Sequence, residues 1–372
     1  MKAKKESKIK YYSLTNILSM NAIYNVIVGE RSNGKTYSVE EYGLKEFCEH
    51  GHQMAIVRRW REDFVGKNGS AMFSALVSNN LPSKFTDGQW TDIYYQASRW
   101  YLCKWDDKLN KRILQEKPFA YGFAISSGEH DKSTSYPDIK TILFDEFITR
   151  RAYIPDEFIE FQNILSTIIR ERDDVKIFML GNTVNQFSPY FSEMGLTNIT
   201  KMKQGTIDLY TYGTSELTVA VEYCASNKQG KKSDKYFAFD NPKLNMITSG
   251  AWELAIYPHL PYKYKSNEIE FTYFIEFYNN ILQCEIVNSQ GNIFTYIHRK
   301  TTPLKYNYND IVFTCSYNPS YLVRRKLTKP FDDIGKKLYY FFKTDKVFYQ
   351  DNNIGEIVRN YLQWSDTDRG IL

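Results

Sequence analysis

The sequence predicts an α/β fold followed by a separate α+β domain over 236–372. Three observations support this prediction. A short apolar strand over 23–28 leads into a glycine-containing loop and then a helical run. A second apolar strand over 141–147 ends on two adjacent carboxylates. Beyond residue 236, strand-like runs over 268–278, 281–288 and 293–299 are joined by short polar turns, which is the pattern of an antiparallel meander.

The loop after the first strand has the spacing G-x-x-x-x-G-K-T of a Walker A P-loop. Its residues are Gly29, Glu30, Arg31, Ser32, Asn33, Gly34, Lys35 and Thr36. The two glycines allow a tight turn with its N–H groups directed at an anion, at a helix N-terminus that also favours phosphate. Lys35 can reach the β- and γ-phosphates, and Thr36 can complete a Mg²⁺ shell. The alternative is a turn that carries Lys and Thr by chance, but the flanking strand and helix favour an ATP site.

The second strand ends in Asp145 and Glu146. In a P-loop NTPase the first acid at such a strand end binds the Mg²⁺ sphere, and the next can take a proton from the attacking water. An Asp-Glu pair alone often serves only as a helix N-cap. Together with the P-loop, the pair predicts nucleotide hydrolysis.

Between these motifs, the pattern predicts a helix to residue 49 and a strand over 54–57. The sequence His50-Gly51-His52 favours a helix C-cap over a metal site, since no Cys or acidic cluster is near. Arg58 and Arg59 follow the strand. They either face the nucleotide, because ligands bind beyond the carboxyl ends of such strands, or form a solvated strand end. A helix over 62–77 is expected next.

Residues 93–125 alternate in polarity and predict an inserted hairpin with a basic tip at 104–112, followed by a polar loop over 126–138. A helix over 156–169 and a strand over 175–180 come next. Asn182 follows that strand, where a polar side chain can hold the lytic water or sense the γ-phosphate. Simple turn chemistry is the alternative for Asn182.

The expected domains are 1–200, a linker domain over 201–235, and 236–372 with helices at 330–342 and 354–364. The net charge of +5 permits a nucleic-acid partner only if the positive charge is clustered. The five cysteines are scattered and suit a reducing compartment. Neither a signal peptide nor a long apolar segment is evident, so a soluble intracellular protein is expected.

Several of these motifs occur together, in order, in one known family. They are the P-loop, Arg58-Arg59, Lys132-Ser133 with Tyr136-Pro137, the strand ending in Asp145-Glu146, and Arg170 with Arg172. Over about residues 20–190 the chain resembles the genome-packaging ATPase of picoviruses, small short-tailed phages with protein-primed DNA ends.

The resemblance implies an additional-strand P-loop motor that forms a homopentameric ring on the portal of an empty prohead in the host cytoplasm. Such a ring would drive double-stranded DNA inward, and the need for a packaging RNA is left open by the sequence. Lys35, Thr36, Asp145 and Glu146 would bind ATP and Mg²⁺ and support hydrolysis. Arg170 would be a trans-acting arginine finger. Lys132 would be a second trans-acting basic residue, which assists nucleotide exchange.

A small linker domain and a degenerate RNase H-like C-terminal domain are also implied. Nuclease chemistry of that type needs several carboxylates that converge on two metals. The meander offers Glu270, Glu276 and Glu285 without such a cluster, so a domain that does not cut DNA is expected. Contacts with DNA phosphates, or a merely solvated linker, are open for Lys228, Lys231, Lys232 and the 104–112 tip.

Three other functions fit the sequence less well. A related helicase or DNA pump would share the ATP site but act without a prohead. A nucleotide-binding assembly adaptor would not need Glu146, and a terminase with an active nuclease would need the missing acidic cluster.

Overall fold

The computed structural model describes residues 12–127, 135–213, 216–225, 252, 255–304, 310–315, 323–324 and 326–366. The chain divides into two compact units, Met1–Glu253 and Leu254–Leu372. In the described part of the chain no helix is both long and apolar enough to cross a membrane.

The first unit contains one large sheet and seven short to medium helices among its described residues. The order is α1 (Thr15–Leu18), β1 (Tyr24–Gly29), α2 (Lys35–His50), β2 (Gln53–Arg58), α3 (Lys67–Ala71), α4 (Ser74–Ser78), α5 (Leu81–Phe85), β3 (Asp92–Gln96), β4 (Arg99–Asp106), β5 (Lys111–Leu114), β6 (Ala120–Ala124), β7 (Ile139–Asp145), α6 (Glu157–Ile169), β8 (Lys176–Asn182), α7 (Pro189–Glu193), β9 (Thr206–Tyr212) and β10 (Leu217–Tyr223).

The strand order across this sheet is β3-β4-β6-β2-β7-β8-β1-β10-β9, with β5 paired to β4. Six neighbouring strands are parallel to one another, in the order β6-β2-β7-β8-β1-β10. Antiparallel pairs extend the sheet at both sides. One strand, β8, therefore lies between the P-loop strand β1 and the acid-bearing strand β7.

The central strands are apolar on both faces because helices cover the sheet on both sides. On β1, Val26 and Val28 belong to one buried cluster and Ile27 to the other, as the two-residue period of a strand requires. The carboxyl ends of β1, β7 and β8 consequently reach the same edge of the sheet, with the P-loop at that edge.

Two sequence-based expectations for residues 62–125 need correction. β6 is a strand of the main sheet, parallel to β2 on one side and antiparallel to β4 on the other, and not part of an inserted hairpin; the antiparallel pairs β3-β4 and β4-β5 lie beyond it. The helix expected over 62–77 is broken into a 3₁₀ turn (Arg61–Phe64), α3 and α4, because Gly66 adopts a left-handed backbone with φ of 57°.

The segment expected to be a linker domain, 201–235, contributes two strands to the first sheet. β10 lies parallel to β1, and β9 closes that side of the sheet. The buried Val219 and Val221 explain this placement, since they need the cover that a sheet position provides. The first compact unit accordingly extends to residue 253 rather than 200.

The second unit contains a six-stranded sheet and two helices among its described residues. They are β11 (Ile269–Phe277), β12 (Asn280–Ser289), β13 (Asn292–Arg299), β14 (Val312–Thr314), β15 (Val323–Arg324), α8 (Asp333–Lys343), β16 (Val347–Tyr349) and α9 (Asn352–Asp366). The order is β15-β14-β11-β12-β13-β16, and the expected meander is β11-β12-β13. Both expected helices are present as α8 and α9.

Candidate nucleotide site

The P-loop turns between β1 and α2 at the carboxyl edge of the sheet. Ser32 and Gly34 adopt left-handed backbone conformations, with φ of 61° and 94°. Asn33 is buried, and its Oδ1 accepts a hydrogen bond of 3.2 Å from the Lys35 N–H. A cavity of about 330 Å³ lies against the loop, lined by residues 31–37 and by the ends of β7 and β8. Of the eight predicted P-loop residues, the six from Arg31 to Thr36 therefore line this cavity.

Gly29 is the point of closest approach between the P-loop strand and β10. A Cβ added at Gly29 would lie 2.9 Å from the Cβ of Cys224, closer than packed carbon atoms approach. The buried Cys224 also donates its backbone N–H to the Val28 carbonyl at 2.8 Å. Glycine is therefore required here for close packing.

The Lys35 side chain is buried and lies among oxygen acceptors of the site. Its Nζ donates to the Glu30 carbonyl at 2.6 Å, to Asn33 Oδ1 at 3.2 Å and to Asn182 Oδ1 at 3.4 Å. Burial lowers the pKa of Lys35, while nearby Cys224 and Asp145 act in the opposite direction. A phosphate bound beside this ammonium would supply anionic oxygens. These would favour the charged form of Lys35, which burial disfavours.

Thr36 and Asp145 face each other across the site. The Thr36 Oγ1 donates to both carboxylate oxygens of Asp145 at 3.3 Å. Burial raises the pKa of Asp145, and the nearby Arg58 lowers it. These are hard oxygen ligands of the kind that Mg²⁺ prefers, so the pair fits the metal role predicted for it.

Arg58 resolves one of the alternatives left open by the sequence. Its Nη2 lies 2.8 Å from Asp145 Oδ2, and its Nη1 lies 3.3 Å from Glu146 Oε2. The guanidinium is therefore an internal counter-ion for both carboxylates and not part of a solvated strand end. The Glu146 side chain remains 66% exposed at the mouth of the cavity.

Arg59 points away from the cavity and is buried. It forms a two-pronged ion pair with Glu157, the first residue of α6, with N–O distances of 2.7 Å. Its Nη atoms also donate to the backbone carbonyls of Glu146 at 3.2 Å and Phe147 at 3.0 Å. Sequence reasoning missed Glu157. The alternation of side chains along a strand could have separated the roles of Arg58 and Arg59.

Asn182 is the last residue of β8 and lines the cavity beside Lys35. Its carbonyl also accepts the Val184 N–H at 2.7 Å, so it takes part in a turn as well. The Asn182 backbone therefore makes a turn, while its side chain reaches the P-loop lysine.

Arg170 follows α6 and lines a different cavity, which contains residues 135–137 and 166–172. The neighbouring Arg172 locates this region, because it donates to the Pro137 carbonyl at 2.7 Å and the Ile139 carbonyl at 2.8 Å. Ile139 begins β7 and Asp145 ends it, which separates the two by about 20 Å at 3.3 Å per residue. Arg170 thus lies near the amino ends of the parallel strands, whereas its own chain's P-loop lies at their carboxyl ends. Lys132 lies outside the described residues.

The second unit has no cluster of three or more potential metal ligands among its described residues. Glu285 instead accepts hydrogen bonds from Tyr264, from Gln283 at 2.6 Å and from His298 at 3.4 Å. These partners satisfy a carboxylate that nuclease chemistry would need for metal. Of the basic candidates for DNA contact, the 104–112 tip is described, whereas Lys228, Lys231 and Lys232 fall outside the described residues.

The strand order defines the class: a mixed α/β domain with a central parallel sheet, which carries the P-loop sequence and the acid pair at the carboxyl ends of its strands. The chain belongs to the family of the Podovirus DNA encapsidation protein (Gp16), whose family model matches residues 6–233. This match confirms the resemblance predicted from the motifs.

Individual relatives agree with this assignment. The DNA packaging protein of Bacillus phage phi29 is 28% identical over 187 residues, which is 50% of this chain and 50% of that protein. The chain thus spans about half the length of the curated relatives it matches. A structure of the bacteriophage Phi-29 viral genome packaging motor assembly covers 94% of this chain and 96% of its own, with 20% identity and a TM-score of 0.55. The Phi-28 gp11 DNA packaging motor covers 98% and 100%, with 19% identity and a TM-score of 0.52. At these identities, the structural matches concern the fold.

Proposed function

We propose that this protein is the ATP-driven motor that moves viral double-stranded DNA into a preformed prohead. The observation that carries the proposal is the joined site, in which Lys35 and Thr36 of the P-loop meet the acid pair Asp145 and Glu146. Because the chain belongs to a DNA encapsidation family, we take DNA packaging as the work that ATP hydrolysis would drive.

ATP in this cavity would place its phosphates against the P-loop N–H groups and the ammonium of Lys35. Thr36 and Asp145 would hold Mg²⁺, which would offset the charge of the phosphate oxygens. Glu146 would accept a proton from the water that attacks the γ-phosphate. Asn182, next to Lys35, would orient that water or sense the γ-phosphate.

Arg58 would control when Glu146 can act as a base. While the guanidinium lies 3.3 Å from Oε2 of Glu146, it occupies a carboxylate oxygen that would otherwise be available to the attacking water. Nucleotide and metal would compete with Arg58 for Asp145. Loading of the site would therefore release Arg58 and free Glu146 for proton transfer.

Arg170 would complete the site of a neighbouring subunit. Its place toward the opposite sheet edge supports action between chains, because it is too far from its own chain's P-loop to reach a bound γ-phosphate. Lys132 would assist nucleotide exchange in the same intersubunit manner. Such sharing requires a homo-oligomeric ring, which we take to be a pentamer.

The second unit would be an RNase H-like domain without nuclease activity. Three antiparallel strands followed by two parallel strands, in the order β13-β12-β11-β14-β15, support this assignment. Its partners would be the portal, DNA phosphates or a packaging RNA. The protein would work in the host cytoplasm, docked on the prohead during packaging.

The test is the ATPase rate of the purified protein against its concentration, with and without double-stranded DNA. We expect specific activity to rise with both. Arg170→Ala and Glu146→Gln should each lose about 100-fold or more in rate. A mixture of the two should regain activity, because an intact Glu146 in one subunit can meet an intact Arg170 in the next.

Lys45→Ala is the control, since Lys45 is an exposed residue on α2 whose ion pair with Glu49 is on the surface. Its activity should match the wild type. Activity that is independent of concentration, together with an unimpaired Arg170→Ala variant, would contradict shared sites. A wild-type protein without ATPase activity under any of these conditions would overturn the proposed function itself.

A further inference from the structure

The turn that carries Glu146 has an unusual backbone. Glu146 has a φ of 61°, in the left-handed region that residues with a Cβ seldom occupy. Such conformations persist only when surrounding contacts fix them, and they are frequent at catalytic sites. The contacts that fix this turn therefore determine the direction in which the Glu146 carboxylate points.

Two sets of contacts hold the turn. On one side, Glu146 N donates to Asp145 Oδ1 at 3.0 Å, and Phe147 N donates to the Leu180 carbonyl at 3.2 Å. On the other side, one guanidinium, that of Arg59, binds the carbonyls of both Glu146 and Phe147. Arg59 thus binds two successive carbonyl groups of the turn with a single side chain.

The guanidinium is itself anchored. Glu157 binds it with both oxygens, and the Glu157 carboxylate also accepts the Ile154 N–H at 2.8 Å and the Tyr190 hydroxyl at 3.0 Å. The side chain of Glu157 is fully buried, and that of Arg59 is 8% exposed. The clamp, defined as Arg59 and Glu157, therefore has little freedom to move.

A buried ion pair is a costly way to fill space, because apolar side chains of similar size often stabilise a protein as well or better. Apolar side chains cannot, however, donate hydrogen bonds to two carbonyls. The planar fork of arginine can bind a carboxylate with one edge and carbonyls with another, whereas the ammonium of lysine cannot span them.

We propose that Arg59 is a positioning residue for ATP hydrolysis: anchored by Glu157, it fixes the Glu146 backbone so that the carboxylate is aimed at the attacking water. This inference rests on the proposed ATPase function. It separates the two adjacent arginines, since Arg58 binds the carboxylate side chains and Arg59 binds the backbone beneath them.

The test is Arg59→Lys, which keeps the charge opposite Glu157 but removes the fork. Affinity for Mg·ATP, measured with a fluorescent ATP analogue, should stay within about twofold of wild type, because Arg59 lies away from the cavity. The kcat should fall by about tenfold or more, as expected when a catalytic group is misplaced. Leu76→Ala is the control. Leu76 is a buried residue of α4, so this change should lower the Tm without altering a contact of the clamp.

A double-mutant cycle with Glu146→Gln distinguishes positioning from general destabilisation. If Arg59 acts through the Glu146 carboxylate, Arg59→Lys should cause little further loss of kcat once Glu146→Gln is present. An unchanged kcat in Arg59→Lys, or an equal fold-loss in both backgrounds, would overturn the proposal. An inactive wild-type protein would instead count against the ATPase function.

Discussion

Arg58 and Arg59 are neighbours in sequence with different surroundings. Arg58 is the last residue of β2 and directs its guanidinium to the side chains of Asp145 and Glu146. Arg59, one residue later, is buried against Glu157. Two equal charges that are adjacent in sequence therefore serve two different groups. A substitution at either position should consequently be interpreted by its own contacts.

Local motifs made the central part of the site predictable. Lys35, Thr36, Asp145 and Glu146 belong to short patterns whose chemistry follows from residue type and spacing. The Arg59–Glu157 pair joins residues 98 positions apart, and no local pattern indicates such a partner. Gly29 was expected to serve phosphate approach. The Cβ of Cys224 behind it adds a packing reason that depends on the position of β10.

Binding of Mg·ATP should weaken as the pH falls, and more so without Arg58. Asp145 must be ionised to hold Mg²⁺; burial raises its pKa and Arg58 lowers it. In Arg58→Met the pKa should rise further, so the loss of affinity should begin at a higher pH. The measurement is the Kd of Mg·ATP from about pH 5 to pH 8, in a Glu146→Gln background that prevents turnover.

The same titrations with ATP and EDTA provide the control, because affinity without Mg²⁺ should depend less on Asp145. Identical pH profiles with and without Arg58 would mean that Arg58 does not set the protonation of Asp145.

Gly29→Ala should destabilise the first unit by about 1–3 kcal/mol, because the new methyl group would press on the Cβ of Cys224. Chemical denaturation with circular dichroism measures this loss. Cys224→Gly removes the opposing Cβ, so the double variant should lose less than the sum of the two single changes. Simple additivity would show that the contact with Cys224 is not the cause.

At the scale of elements, strands with continuous apolar runs were predictable, but their neighbours were not. β1, β2, β7 and β8 are recognisable from composition alone, since parallel strands covered on both faces are apolar throughout. β6 and β10 join the same sheet by pairing with strands that are distant in the sequence, and no local pattern predicts such pairing. β10 alternates less clearly and follows irregular sequence, which made a linker domain the more natural expectation.

Arg172, three residues beyond the end of helix α6, connects this helix to the start of β7. The guanidinium of Arg172 donates to the carbonyls of Tyr136, Pro137, Ile139 and Ile168. Arg172→Ala should leave these acceptors without their donor and should reduce stability by on the order of 2–3 kcal/mol. The measurement is the free energy of unfolding in urea.

Arg172→Lys should give an intermediate loss, because an ammonium can reach only some of these carbonyls. Lys45→Ala, an exposed change on α2, should stay within about 0.5 kcal/mol of wild type. A wild-type free energy of unfolding for Arg172→Ala would mean that other contacts hold the start of β7.

For the whole molecule, the boundary of the first unit is testable by truncation. A fragment of residues 1–253 should unfold cooperatively, because it retains every strand of the first sheet. A fragment of residues 1–200 lacks β9 and β10, so β1 loses a hydrogen-bonded neighbour along residues 24–28. It should be largely unfolded or aggregated, as thermal circular dichroism and size-exclusion chromatography would show. A cooperative transition at the same Tm in both fragments would restore the boundary near residue 200.

The distance between Arg170 and its own P-loop has a consequence for symmetry. If, as proposed, each chain offers its arginine from one sheet edge and receives another chain's arginine at the opposite edge, the contacting surfaces are different. Heterologous contacts of this kind, repeated from chain to chain, generate either a closed ring or an open helix. A chain that lacks both Glu146 and Arg170 would then damage two catalytic centres, its own and its neighbour's. Doubly defective copies mixed into an assembly would therefore inactivate up to twice their own number of catalytic centres.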